Sequence, residues 1–310
     1  IIPLYNKSKY IQRAIDSVLN QTFRDYEIII INDGTTDGGE KLVEEKYGDK
    51  LRLIYQTNQG VSIARNRGIK KAKFPWIAFL DADDYWHPDY LEFVAKLIVL
   101  HPENGIIGTH YSSNALESNP TLSYFKLDNY FKRAVRNTMF FTSATAIRKD
   151  FFDHNIGFDP EIKLGEDIDV WLRASLYFGD GYYISNTLVY YGQEDDKRAT
   201  QKKYPLHQTL IPKLSGKDYF SRVKKSSEFS ENGFLEFRDK WIYFTLFPHY
   251  GLKANKKPIA VVLNNMPNRY LLVRFFYFLP FDLLQRLFRN DFFSGVFRNY
   301  MKFCYSFIYT

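Results

Sequence analysis

The sequence predicts an α/β fold, a mostly parallel sheet flanked by helices, followed by a helical, aromatic-rich C-terminal region. Short apolar runs alternate with segments of helical periodicity through the first hundred residues, which is the pattern of βαβ units. One run, Glu27 to Ile31, holds four consecutive isoleucines and is typical of a strand buried on both faces. After about residue 200 the pattern changes to aromatic segments rich in arginine and lysine.

The predicted elements follow one another as strand and helix up to about residue 100. Strands are predicted at residues 1–4, 27–31, 51–55 and 76–80, and helices at 10–19, 37–47, 61–72 and 88–100. Further strands are predicted at 105–111, 142–147 and 182–191, with a helix at 165–177. The 310 residues allow one large domain or two domains of about 150 residues each. We predict a first domain over 1–200 and a mainly helical region over 201–310.

The composition is that of a globular chain with an excess of positive charge. Apolar residues make up 45% and charged residues 25%, which excludes a disordered chain. The single cysteine, Cys304, allows no intrachain disulfide, and no uncharged apolar run reaches the roughly 18–20 residues that span a bilayer. The net charge of +7 suits an anionic partner such as a phosphate or an acidic membrane. No nucleic-acid partner is expected, because no motif for one is present.

Four aspartates follow two of the predicted strands. Asp33 follows the second strand, and Asp81, Asp83 and Asp84 follow the fourth within FLDADD. Ligands of such sheets bind at the carboxyl ends of the strands, so these carboxylates are candidates for one site. Acids that close repel one another unless they share a cation, and oxygen ligands suit Mg²⁺ or Mn²⁺. A solvated acidic turn is the structural alternative.

Two further segments place charged residues near predicted helix starts. GVSIARNRGI puts Arg65 where it can contact a phosphate, helped by the helix N-terminus; a solvated helix face fits this segment equally well. GEDIDVWLR puts Glu166, Asp167 and Asp169 in a first helical turn, where the helix dipole favours acids. The functional interpretation of these acids is a general base held opposite a metal site.

Taken together, these segments resemble the family 2 glycosyltransferases of the GT-A fold, in that family's motif order over roughly residues 1–191. IIPLYNKSKYIQRAIDSVLNQTF is similar to the opening strand and helix, and NDGTTD to the nucleotide-binding DGSxD element. GVSIARNRGI followed by FLDADDYWHPDYL resembles the central segment with the DxD motif, and GEDIDVWLR the ED motif. The resemblance implies an inverting enzyme that moves a sugar from a nucleoside diphosphate, typically UDP, to a hydroxyl of a glycan or lipid-linked acceptor.

The resemblance also implies roles for individual residues. The nucleotide pocket would be lined by Pro3, Tyr5, Lys7, Asp33, Arg65 and Asp81. Asp33 would accept a hydrogen bond from the nucleotide base, and Asp81 would either lie by the ribose or reach the metal through water. Asp83 would bind a divalent metal, Mn²⁺ or Mg²⁺, directly. Asp167 would be the catalytic base, and the donor and acceptor pocket would include Glu166, Asp84, Asp169 and Trp171.

The chain departs from the family pattern after its last predicted strand. Gly192-Gln193-Glu194 stands where many relatives carry arginine and sometimes histidine, so the metal or diphosphate ligand that they supply there is in question. The QxxRW motif of processive members is absent, which predicts transfer of one sugar per encounter. The chain begins abruptly at its first strand, so we expect further residues before Ile1.

The last forty residues contain 14 aromatic side chains, and five arginines or lysines against two aspartates. One interpretation is a helical extension that packs on the core; the other is a pair of interfacial helices on an anionic membrane. The second predicts a polyprenyl-linked or otherwise membrane-held acceptor and a peripheral enzyme on the cytoplasmic face. The resemblance to the family implies a role in the assembly of a bacterial envelope polysaccharide. The oligomeric state is left open.

Three other functions fit parts of the sequence. A glycoside hydrolase also uses paired carboxylates, but it needs neither a metal nor a nucleotide pocket. A sugar-nucleotide pyrophosphorylase usually has a glycine-rich basic loop after its first strand, which YNKSKY does not resemble. The alternative to an enzyme is a non-catalytic scaffold that binds a sugar nucleotide or a carrier lipid.

Overall fold

The structure is a computed structural model that describes residues 1–135, 137–194, 202–216, 218–219, 223 and 231–309. Its strands are β1 (Ile2–Leu4), β2 (Ile29–Asp33), β3 (Arg52–Gln56), β4 (Trp76–Ala78), β5 (Tyr85–Trp86), β6 (Ile106–Ser112), β7 (Tyr124–Lys126), β8 (Thr145–Arg148) and β9 (Tyr182–Tyr190). The predicted domain boundary near residue 200 lies outside the described residues, so the division into two domains stays a prediction.

The helices alternate with the strands in the first half and follow one another in the second. They are α1 (Ser8–Leu19), α2 (Gly39–Tyr47), α3 (Val61–Lys71), α4 (Tyr90–Leu100), α5 (Tyr130–Ala134), α6 (Asp150–His154) and α7 (Glu166–Phe178). The C-terminal part holds α8 (Leu210–Ser215), α9 (Glu231–Leu246), α10 (Lys256–Asn265), α11 (Leu271–Tyr277), α12 (Phe281–Phe288) and α13 (Asp291–Phe303).

The first three strands form a parallel sheet in the order β1-β2-β3. In its register Ile30 lies opposite both Ile2 and Leu53. All five residues of β2 are buried, because a central parallel strand is covered on both faces by its crossover helices. This burial explains the isoleucine run. The strand extends two residues beyond its predicted end at Ile31, so Asp33 is its last residue instead of part of the following turn.

The second sheet has the order β4-β8-β6-β9-β5, with β7 also paired to β9. Only β6 and β9 run parallel in it; the other pairs are antiparallel. The expectation of parallel strands therefore holds for the first sheet and not for most of the second. The segment between β6 and β8 brings the chain back in the opposite direction, which needs no long right-handed crossover.

Backbone hydrogen bonds join the two sheets. Leu80 donates its N–H to the carbonyl of Ile1 at 3.0 Å, and the nitrogen of Ile1 donates to the carbonyl of Ala78 at 2.9 Å. These bonds hold β1 beside β4, so the ends of β1, β2 and β4 meet at one edge. The acids that follow these strands are brought to the same edge.

The C-terminal helices pack on the rest of the fold. One hydrophobic cluster contains buried side chains from α7, such as Trp171, together with Phe237 of α9, Tyr277 of α11 and Phe297 of α13. Phe131 and Phe234 join α5 to α9 with ring centroids 5.2 Å apart. The aromatic-rich last forty residues therefore pack one face of their helices on the core. Within the described ranges, none of the helices has the length and apolar character needed to cross a membrane.

Candidate active site

Ten of the twelve predicted site residues line one cavity of about 500 Å³. They are Pro3, Tyr5, Lys7, Asp33, Arg65, Asp81, Asp83, Asp84, Glu166 and Asp167. The cavity lies at the strand edge described above, where α3 and α7 also begin. Residues separated by more than 160 positions in the chain therefore share one polar cleft.

Asp33 organises the loop that leads into α3. Its Oδ1 accepts hydrogen bonds from Gln56 Nε2 at 2.7 Å and from the backbone N–H of Gln59 at 2.8 Å, and its Oδ2 accepts from the N–H of Gly60 at 2.9 Å. A carboxylate offers about four acceptor positions, so three are already used within the protein. The predicted contact with a nucleotide base would rely on the remaining one.

Lys7 and Asp83 form an ion pair at the centre of the cleft. Burial and the nearby charge of Asp81 raise the pKa of Asp83, whereas the Lys7 ammonium lowers it. The Asp83 side chain keeps 15% of its surface exposed, so it is open to a ligand in the cleft.

The backbone of Asp83 is fixed by Arg13, which the sequence analysis did not name, and by the segment from Gly192 to Glu194, which departs from the family pattern. The Arg13 guanidinium donates to the Asp83 carbonyl at 2.6 Å and to Glu194 Oε1 at 2.8 Å. The hydrogen bond from Arg13 lowers the pKa of Glu194 to about 2. Gly192 packs so tightly that a Cβ atom there would lie 2.2 Å from the Asp83 carbonyl oxygen. The Gly192-to-Glu194 segment thus supports the backbone beneath Asp83.

Arg65 bridges two acids across the cleft. Its Nη2 lies 2.8 Å from Asp81 Oδ1 and its Nη1 lies 3.1 Å from Glu166 Oε1. The charges of Asp81 and Glu166 raise the pKa of this buried guanidinium in spite of its burial. Buried charges are stable only when paired, so Arg65 locks the start of α7 to the segment that follows β4.

Asp167 lies in the first turn of α7, at the wall of the same cleft. Its Oδ1 accepts from the N–H of Ile168 at 2.8 Å and its Oδ2 accepts from the Thr142 hydroxyl at 3.2 Å. Burial raises the pKa of Asp167, and burial together with the charge of Asp167 raises the pKa of Glu166 to about 7. Carboxyl groups with raised pKa values in a cleft are candidates for proton transfer.

Asp84 reaches the cleft wall, but its carboxylate is used to hold the protein together. It accepts hydrogen bonds from the Ser143 hydroxyl and from the N–H of Gly192 at 2.8 Å. Burial raises its pKa well above the ordinary value. Asp84 therefore has a supporting place beside Asp83.

Two predicted pocket residues, Asp169 and Trp171, lie outside the cleft. Asp169 is buried and accepts two hydrogen bonds from Arg173, at 2.9 and 2.7 Å. It lies two residues after Asp167, about 200° further round the helix, so it points to the interior. Trp171 is fully buried and packs its indole against Phe79 and Phe158, with centroids 6.2 and 6.1 Å away.

The cleft also contains residues that the sequence analysis did not name. They include Asn58, Gln59, Ser62, Phe141, Thr142, Tyr191, Lys202 and Tyr204. Phe141 and Tyr191 form an aromatic cluster with Tyr111, in which Tyr111 stacks on Phe141 at 4.5 Å and Phe141 meets Tyr191 edge-on at 5.0 Å. No local motif marks these positions, because the cluster is assembled from three segments that are far apart in the chain.

The charged groups of the cleft fit a metal ion only if a ligand completes its coordination. Across the described ranges, no group of three or more His, Cys, Asp or Glu side chains could hold a metal ion on its own. Asp83 offers carboxylate oxygens, which suit Mg²⁺ and Mn²⁺, and such ions usually take their other ligands from phosphates and water. The residues present therefore fit a metal shared with a diphosphate.

With this geometry in view, comparison with known proteins identifies the family. Residues 1–156 match the family model "Glycosyl transferase family 2", and the chain belongs to that family. It is 33% identical over 145 residues to glycosyltransferase GlyA of Streptococcus pneumoniae, covering 46% of this chain and 20% of that protein. It is 32% identical over 188 residues to the uncharacterized glycosyltransferase EpsJ of Bacillus subtilis, covering 56% of this chain and 54% of that protein. The chain thus spans about half or less of these two relatives.

Solved structures share the fold over nearly the whole chain. Residues 1–349 of S. aureus TarS, in complex with UDP-GlcNAc, superpose with a TM-score of 0.68 at 20% identity, covering 98% of this chain and 90% of that one. The mannosyltransferase PcManGT from Pyrobaculum calidifontis, in complex with GDP-Man and Mn²⁺, gives a TM-score of 0.57 at 15% identity, covering 96% and 86%. These similarities confirm the predicted GT-A fold with its helical C-terminal region.

Proposed function

We propose that the protein transfers a sugar from a nucleoside-diphosphate donor to a hydroxyl of a glycan or lipid-linked acceptor, one sugar per encounter and with inversion at the anomeric carbon. The observation that carries this proposal is the convergence of Asp33, Asp83 and Asp167 on one cleft. Membership of glycosyl transferase family 2 and the likeness to a UDP-GlcNAc complex support it.

The donor would occupy the half of the cleft formed by β1, β2 and α3. Tyr5 offers a half-exposed ring and Lys7 an ammonium group, which suit a base and a phosphate. The Asp33 carboxylate holds the loop from Gln56 to Gly60 in place and keeps one acceptor position for a base N–H. UDP is the proposed nucleotide because a neighbour of similar fold is complexed with UDP-GlcNAc.

Asp83 would hold a divalent cation, Mn²⁺ or Mg²⁺, together with the donor diphosphate. The cation would supply neutralisation of the charge that develops on the departing nucleoside diphosphate. Lys7 already pairs with Asp83, so it would turn to the diphosphate when the cation binds. Arg65, held by Asp81 and Glu166, keeps a fixed positive charge near the same place.

Asp167 would remove the proton from the acceptor hydroxyl, which is too weak a nucleophile at neutral pH without a base. The Thr142 hydroxyl and the N–H of Ile168 donate hydrogen bonds that orient the Asp167 carboxylate. Its other lone-pair positions would face the hydroxyl of the acceptor substrate. Attack opposite the leaving group is a single displacement, so the configuration at the anomeric carbon inverts.

The aromatic cluster lies near Asp167, the proposed catalytic base, and it supports a sugar ring as the acceptor. Phe141 and Tyr191 line the cleft, and Phe141 immediately precedes Thr142, which bonds Asp167. Aromatic faces pack well against the apolar C–H face of a pyranose. The hydroxyl of such a ring would then lie close to the Asp167 carboxylate.

The experiment is a screen of UDP-, GDP-, CDP- and dTDP-sugars for release of the nucleoside diphosphate, with water alone and with added glycan acceptors. We expect one donor to be consumed, faster with an acceptor. Phe141→Leu should slow transfer to a sugar acceptor about two- to tenfold and leave hydrolysis by water unchanged. Donor binding without consumption of any donor would favour the non-catalytic scaffold.

A further inference from the structure

A surface formed by α11 and α13 carries large apolar side chains that no part of the described chain covers. We define this C-terminal apolar surface by six residues: Leu271, Phe275 and Phe278 around α11, and Phe292, Val296 and Phe303 on α13. Their exposed fractions run from 49% to 80%, with Phe292 the highest. Single exposed apolar residues are ordinary, but a contiguous group of this kind marks a contact surface.

The six side chains lie on the outward faces of two neighbouring helices. The spacing within each set places its members on one face of a helix, at 271, 275 and 278 in the first set and at 292, 296 and 303 in the second. The opposite faces are buried, through Tyr277 on α11 and Phe297 on α13. The helices touch, because the Tyr300 hydroxyl donates to the Leu272 carbonyl at 3.2 Å and the rings of Phe276 and Tyr300 lie 5.2 Å apart.

The same C-terminal segment carries exposed basic side chains. Arg286, Arg289, Arg298 and Lys302 are exposed, and no ion pair is found for them among the described residues, where Arg298 instead lies over the Phe247 ring at 5.7 Å. Only two acids, Asp282 and Asp291, belong to the last forty residues. The segment that forms the C-terminal apolar surface is therefore positively charged overall.

We propose that the C-terminal apolar surface docks on an anionic lipid bilayer, with the phenylalanine rings at the boundary of head groups and acyl chains and the exposed basic side chains of α12 and α13 attracted to the lipid phosphates. An interfacial helix of this kind combines an apolar face with Lys and Arg beside it, and anionic lipids attract each basic residue near the surface. A second copy of the chain fits less well, because a two-fold contact would bring together the C-terminal segments of two chains, both of them positively charged.

The test is sedimentation of the full chain with vesicles of phosphatidylcholine alone and of phosphatidylcholine with phosphatidylglycerol. We expect binding only to the anionic vesicles, weaker at high salt. The double variants Phe275→Gln/Phe292→Gln and Arg286→Gln/Arg298→Gln should each bind about tenfold less tightly or worse. The matched controls are Val99→Gln/Leu100→Gln, exposed apolar residues at the end of α4, and Lys50→Gln/Lys70→Gln, exposed basic residues elsewhere. Both should bind like the original chain.

Equal binding to neutral and anionic vesicles, no binding to either, or unchanged binding of the two test variants would overturn the proposal. So would analytical ultracentrifugation that shows a dimer dissociated by Phe275→Gln/Phe292→Gln, because the surface would then be a contact between copies. The readout is vesicle binding and not sugar transfer, so failure here leaves the proposed function standing.

Discussion

The Nη1 atom of Arg65 lies 3.1 Å from Oε1 of Glu166, which ties the third helix to the first residue of α7. The same guanidinium holds Asp81 on its other side. The half of the cleft proposed for the nucleotide and the half proposed for the acceptor are thus connected through one buried cation. Its charge also acts on the protonation of the acids proposed for catalysis.

The pH dependence of transfer follows from this arrangement. Burial raises the pKa values of Asp167 and Glu166, and the charge of Arg65 lowers both. A general base works only when deprotonated, so activity should fall as the pH decreases through an apparent pKa above that of an ordinary carboxyl group. This apparent value belongs to the coupled acids together.

Substitution of Arg65 should change the pH at which activity falls on the acidic side of the profile, called the acidic limb here. Arg65→Gln removes the positive charge, so the limb should shift to higher pH, whereas Arg65→Lys keeps the charge and should leave the limb nearly in place. The measurement is the pH profile of kcat/KM for each variant. Identical limbs in both variants would show that Arg65 does not control the protonation of the base.

Asp167→Asn should keep donor binding and lose about 10²–10⁴-fold in transfer rate, which is the usual contribution of a general base. Calorimetric titration of the donor measures donor binding, and release of the nucleoside diphosphate measures the transfer rate. Asp153→Asn, at an exposed acid in α6, is the matched control and should behave like the original chain. Unchanged turnover in Asp167→Asn would assign the base to another residue.

Gly192→Ala should weaken binding of a nucleoside diphosphate with Mn²⁺, because the added Cβ would meet the Asp83 carbonyl oxygen at 2.2 Å. The backbone that carries Asp83 would have to move. Gly251→Ala is the control, since a Cβ there meets nothing within 4 Å. Equal affinities in the two variants would show that the position of Asp83 does not depend on this contact.

Asp169→Ala should destabilise the fold by about 3–5 kcal/mol, the usual cost of removing one partner of a buried ion pair. Arg173 would lose both of its bonds to the carboxylate while staying buried. Denaturant unfolding measures the change in free energy. If Asp169→Ala kept the free energy of unfolding of the original chain but lost transfer activity, Asp169 would instead belong to the donor and acceptor pocket, as the sequence analysis predicts.

The contrast between Asp167 and Asp169 shows how far the sequence alone could go. Acids at strand ends and helix starts are local signals, and Asp33, Asp83 and Asp167 are found where these signals predict them. Which of three acids in one helical turn faces the cleft depends on the rotation of α7 against the core. The spacing of Asp169 and Arg173, four residues apart, was the available sign of a pair within the helix.

Other features depend on contacts between distant parts of the chain. Phe141 and Tyr191 carry no motif, and their pairing requires the segment before β8 to lie beside the residue that follows β9. The support of Asp83 by Arg13 and Gly192 likewise joins segments that no local pattern relates. The antiparallel strands of the second sheet follow from the return path between β6 and β8, which periodicity does not encode.

The central claim, a donor site at Asp83 for a nucleoside diphosphate with a divalent cation, is tested most directly by calorimetric titration of UDP into the protein with and without Mn²⁺. The account predicts binding that is strengthened by Mn²⁺, and loss of that strengthening in Asp83→Ala but not in Asp153→Ala. Binding of GDP, CDP or dTDP in place of UDP would change only the assigned base. Absence of nucleotide binding, or equal Mn²⁺ dependence in Asp83→Ala, would contradict the account.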